Sequence, residues 1–79
     1  MQTKFRCRIV ISSLTANGHI RMYFREFTDI SSAEDCVNKF LLKTKTRWIR
    51  ILEMNNPMLW QEVAFLDCRV NNGKFNWPL

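Results

Sequence analysis

The chain has 79 residues, 47% of them hydrophobic, 13% aromatic and 24% charged, which excludes a disordered segment and leaves room for one domain spanning 1–79. A domain this small buries only about 60% of its unfolded surface, so Trp48, Trp60, Trp77 and the phenylalanines must supply much of the core, and dimerisation would help it. Twelve Lys and Arg against seven Asp and Glu give a net charge of +5, which favours polyanions or acidic protein surfaces over acidic small substrates.

The first element is Lys4-Phe5-Arg6-Cys7-Arg8-Ile9-Val10-Ile11, where basic and apolar side chains alternate as they do on a half-buried strand. Asn17-Gly18 follows and predicts a two-residue type I′ hairpin turn, because both central residues of that turn need positive φ. Such a turn sets Ala16 opposite His19, Leu14 opposite Arg21, Ser12 opposite Tyr23 and Ile11 opposite Phe24. Phe5, Cys7, Ile9 and Ile11 then share a face with Ile20, Met22 and Phe24. Glu26 would point inward in this register, so a bulge or the end of pairing is expected beside it.

Ser31-Ser32-Ala33-Glu34-Asp35 reads as a capping box, with Ser31 at the N-cap and Glu34 three residues on. Ala33, Cys36, Val37, Phe40 and Leu41 recur at helical spacing and predict a helix to about Lys43 that packs on the sheet. Arg47 to Glu53 is rich in β-branched and aromatic residues and predicts a third strand, ended by Asn55-Asn56-Pro57. Residues 62–70 predict a fourth strand, with Ala64, Leu66, Cys68 and Val70 on one face and Val63, Phe65, Asp67 and Arg69 on the other. Asn56-Pro57 is also a helix start, so 57–66 has a helical alternative, with strand preferred. A second Asn-Gly at Asn72-Gly73 would set Val70 opposite Phe75 and Cys68 opposite Trp77, making the last residues a short fifth strand. The expected fold is α+β: an antiparallel sheet in β-β-α-β-β order with a short last strand and one helix on one face. A helical crossover makes the first and third strands plausible neighbours.

The cysteines, Cys7, Cys36 and Cys68, are odd in number, widely spaced and at core-facing positions, which fits small core residues in a reducing cytoplasm better than a disulfide framework. No signal peptide or membrane-length apolar run is visible. His19 is the sole histidine and sits beside the turn. No zinc spacing, Cys-His pair or glycine-rich phosphate loop exists, so neither an enzyme nor a cofactor is expected.

Function is therefore sought on the face away from the helix. Residues 1–25 hold Lys4, Arg6, Arg8, Arg21 and Arg25 with no carboxylate, whereas from Glu26 onward seven basic residues balance seven acidic ones. In the predicted register Lys4, Arg6, Arg8, Arg21, Tyr23 and Arg25 all point away from the helix, joined by Trp48 and Arg50. Cations neutralise phosphates while rings and guanidinium planes stack on bases, so this face is expected to engage nucleic acid or a nucleoprotein complex. Lys and Arg also guard exposed sheets against association. A second class of function remains beside the first: a protein-interaction module or homodimer that binds an acidic partner surface, or one that uses apolar Trp and Met patches.

The order of hairpin, capped helix at Ser31-Ser32-Ala33-Glu34-Asp35, strand Arg47-Trp48-Ile49-Arg50-Ile51-Leu52-Glu53 and closing hairpin resembles small phage-encoded accessory proteins, among them anti-CRISPR proteins with a sheet and one helix. The resemblance implies a non-catalytic inhibitor that occupies the nucleic-acid path of a host complex or docks on its subunits. Several such inhibitors mimic DNA with acidic surfaces; this chain departs from them in being basic.

Overall fold

The computed structural model describes residues 5–56, 59–70 and 74–78. Strands β1 (Cys7–Leu14) and β2 (Ile20–Phe27) are followed by helix α1 (Ile30–Leu41) and strands β3 (Thr46–Asn56) and β4 (Leu59–Asp67). The strands form an antiparallel α+β sheet of order β2-β1-β3-β4. β2 and β3 run parallel on either side of β1, so the connection between them is a crossover, supplied by α1. Segment 59–66, which had a helical alternative, is strand.

β1 and β3 are the inner strands of the sheet. Cys7, Ile9 and Ile11 are fully buried together with Ile49 and Ile51 of β3 and Ala33 and Val37 of α1. Each buried aliphatic side chain removed from water contributes about 1.5–3 kcal/mol, so this layer between sheet and helix is the main source of stability. Phe75 and Trp77 complete it.

The hairpin differs from the sequence expectation by one residue. Thr15 and His19 close a three-residue loop: the Thr15 N–H donates to His19 O at 2.7 Å and Gly18 N–H to Thr15 O at 3.0 Å. Among the described residues only Gly18 has positive φ, at 82°. Asn17-Gly18 thus ends a type I turn with glycine in the left-handed position, rather than forming a type I′ turn. The pairs become Leu14↔Ile20, Ser12↔Met22, Ile11↔Tyr23, Val10↔Phe24, Ile9↔Arg25 and Arg8↔Glu26. Because side chains alternate with period two, this single step turns every residue of β2 to the opposite face from the one expected. Glu26 now leaves the core, and the pairing continues past it to Cys7↔Phe27.

The helix begins two residues earlier than a Ser31 cap would place it. Asp29 is the N-cap, its carboxylate accepting from the Ser32 N–H at 2.8 Å. Glu34, expected to serve the capping box, instead accepts from the Trp77 N–H. Residues 74–78 are not a fifth strand. They form an extended segment fastened to the helix, with Phe75 N–H donating to Asn38 Oδ1 at 2.8 Å and Asn38 Nδ2 to Phe75 O at 3.1 Å. The expected Asn72-Gly73 turn lies outside the described residues.

On β4 the pairs Ile51↔Ala64 and Leu52↔Glu62 leave Val63 as the extra residue of a bulge. Val63 therefore packs against the core with Ala64, not outward beside Phe65 as alternation predicted. Val70 is 82% exposed, beyond the end of the strand.

Candidate interaction surface

Helix α1 covers one side of the sheet and leaves the other open. The open face carries Arg6, Arg8, Val10 and Leu14 from β1 and its approach, and Ile20, Met22, Phe24 and Glu26 from β2. Trp48, Arg50, Leu52, Trp60, Glu62, Phe65 and Asp67 come from β3 and β4. Its large apolar groups stand in solvent: Phe24 is 62% exposed, Ile20 59% and Phe65 48%, with Met22 and Leu14 close behind. The loop explains why. Ile20, Met22, Phe24 and Glu26 share one face of β2 by alternation, and the three-residue loop between Thr15 and His19 turns that face away from the helix, where Glu26 pairs with Arg6 and Arg8.

The charges on this face are engaged with one another. Arg6 and Arg8 share Glu26, with Arg6 Nε at 3.1 Å and Arg8 Nη2 at 3.4 Å from its two oxygens. Arg50 Nε meets Glu62 Oε1 at 2.8 Å. At the far end Arg69 grips Asp67 with two bonds of 3.0 Å. The hydrogen bonds from Arg6 and Arg8 lower the Glu26 carboxyl below the usual range, and Arg69 does the same to Asp67. The guanidinium planes also lie on rings: Arg8 is 4.2 Å from the Trp60 centroid, and Arg50 is 5.6 Å from both Trp48 and Phe65, which pack on each other. Trp60 was a core candidate and instead lies half-exposed beneath Arg8; Trp77 is core.

The sequence-predicted site is thus split. Arg6, Arg8, Trp48 and Arg50 lie on the open face as expected. Arg21, Tyr23 and Arg25 do not, because the shifted register sends them to the helix side. Lys4 lies outside the described residues. The Tyr23 ring meets Phe40 of α1 at 5.7 Å, and Arg25 lies 5.6 Å from the Tyr23 ring. Arg25 lines an open cleft of about 460 Å³ with Lys39, Lys43, Phe40, Cys36 and the single carboxylate Asp35. Lys39 and Lys43 escaped the sequence reading of function because Lys39 is explained by a pair with Asp35 one turn away and Lys43 by the helix dipole.

The thiols are poorly suited to nucleophilic chemistry. Burial pushes Cys7 up to about 11. It also raises Cys68, and raises Cys36 against the opposing pull of Arg25, Lys39 and Lys43. All three are free, and they remain protonated at neutral pH. Among the described residues no three His, Cys, Asp or Glu side chains gather as metal ligands, and no helix is long and apolar enough to cross a membrane. No protein-family model, curated protein or solved structure matches the chain.

Proposed function

We propose that the protein is a non-enzymatic interaction module whose open sheet face binds a protein surface. The observation that carries this is the exposure of Ile20, Met22, Phe24, Leu14 and Phe65 on one face of one sheet. Single exposed apolar residues are ordinary, whereas a contiguous patch rimmed by polar groups is what a docking surface requires. The arginines on that face are held by Glu26 and Glu62 and stacked on Trp60 and Trp48, which leaves them poorly placed to meet phosphates and well placed to frame an apolar contact. In the phage setting implied by the resemblance, such a module acts by docking on a subunit of a host complex.

Nucleic-acid binding has a distinct supporting observation on the other side of the molecule. Arg25, Lys39 and Lys43 converge on one cleft beside Tyr23 and Phe40, with only Asp35 against them. This cleft, not the open face, is the place where a phosphate backbone would be neutralised.

Two variants separate these readings. Phe24→Ser with Phe65→Ser removes apolar surface from the open face without touching the cleft, and Lys39→Ala with Lys43→Ala does the reverse. Partner capture from an extract of the cells that carry the protein is expected to be abolished by the first pair and kept by the second. Oligonucleotide binding that weakens steeply with salt and is lost only in the lysine pair would replace the protein-binding role with the polyanion one.

A further inference from the structure

Resting on the protein-binding role just proposed, we infer that the occupant of the open face is a second copy of this chain, with the two sheets packed face to face and the helices outside. Charge argues for this first. The chain carries +5, so two copies repel unless they meet through a surface of little net charge. The open face is such a surface: Arg6, Arg8, Arg50 and Arg69 meet Glu26, Glu62 and Asp67 within one copy. Arg25, Lys39 and Lys43 line the cleft on the helix side and stay outside the contact. Each of these arginines keeps a carboxylate contact within its own copy, Glu26 being shared by two, and a charge buried with its partner in place is tolerated far better than a lone one.

Area argues in the same direction. Four strands about 4.8 Å apart and about eight residues long at 3.3 Å per residue cover roughly 500 Å² in projection. The accessible surface of the corrugated face is larger, which brings it to the roughly 600 Å² per partner at which stable interfaces begin. A sheet with one helix layer also lacks a cover on its second side, and a second sheet supplies one with the interdigitating side chains of a sandwich. Phe24 near one edge and Phe65 near the other are the large exposed groups to be covered.

Sedimentation velocity across a concentration series tests this, using the wild type, Phe24→Lys, Phe65→Lys and the control pair Lys39→Ala with Lys43→Ala. The wild type and the control are expected to dimerise with a Kd of about 1 μM or tighter, with no weakening at high salt. Each Phe→Lys variant is expected to loosen the dimer at least tenfold while circular dichroism shows an unchanged fold. Phe65 lies away from the β2 edge, so a dimer that survives Phe65→Lys and is lost in Phe24→Lys pairs through the β2 edge, and the face-to-face arrangement is wrong. A monomer at every concentration overturns the second-copy inference. If that monomer still captures a different protein through Phe24 and Phe65, the protein-binding role stands; if it captures none, both fall. Should one Phe→Lys chain fail to fold, the other, on a different strand, still decides between dimer and monomer.

Discussion

Asp29 shows how one side chain decides where an element starts. Its carboxylate accepts the Ser32 N–H, and that bond lowers it below its ordinary range. Asp29→Ala is therefore expected to lower the melting temperature by several degrees and Ser31→Ala to leave it nearly unchanged, as thermal circular dichroism would show. Both Asp29 and Ser31 are legitimate caps by residue type. The choice rests on Glu34, which is taken by the backbone N–H of Trp77, 43 residues away, and not by its own helix. Ser12 poses the opposite case: it is fully buried, and its Oγ has no hydrogen-bond partner. An unsatisfied buried hydroxyl costs about 1–3 kcal/mol, so Ser12→Ala is expected to match or exceed the wild type by about 1 kcal/mol in urea unfolding. Glu26 makes a pH prediction. Its pKa is held below the ordinary 4.5 chiefly by the hydrogen bond from Arg6. The stability it contributes is thus present above 4.5 and lost as pH falls through the lowered value. The gap in melting temperature between wild type and Glu26→Gln should be widest near neutrality and close in acid.

At the scale of elements, the strands and the helix were legible because periodicity is a local property, and so was the β1–β3 neighbourhood. The register of the first hairpin was not, because Asn-Gly serves two loop lengths and only tertiary contacts choose between them. One sign was present in the sequence: the two-residue turn drove Glu26 into the core, a conflict that the three-residue loop removes. Gly18 carries that loop at φ 82°, and Gly18→Ala is expected to cost about 1–2 kcal/mol in urea unfolding because a Cβ disfavours the left-handed region. Deleting Ala16 is a sharper test. Asn17-Gly18 would then close the same Thr15–His19 pair as a type I′ turn, leaving β2 on its observed face and the melting temperature close to wild type. Were Ala16 truly paired with His19, the same deletion would flip β2 and unfold the protein. The final segment escaped the sequence for a related reason. Its partners, Asn38 and Glu34, lie on the helix, so hairpin logic based on Asn72-Gly73 pointed to the wrong neighbour.

For the molecule as a whole, one residue of loop decides which side chains stand on the open face. It separates the cations of the first 25 residues into two groups. Arg6 and Arg8 remain on the open face, tied to Glu26, while Arg21 and Arg25 pass to the helix side beside Tyr23. The same step exposes Ile20, Met22 and Phe24, so a face expected to be basic is apolar with paired ions. The candidate site was therefore legible only on β1 and β3, where the inward isoleucines fix the outward residues Arg8, Trp48 and Arg50. The character of the open face follows from register, and register is directly measurable. In a two-dimensional NOE spectrum of the wild-type protein, cross-peaks are expected between the Tyr23 and Phe40 rings and none from Phe24 to Phe40 or Val37. Cross-peaks from Phe24 to Phe40 and Val37, with Tyr23 showing none, would place Phe24 on the helix side and overturn the three-residue loop register.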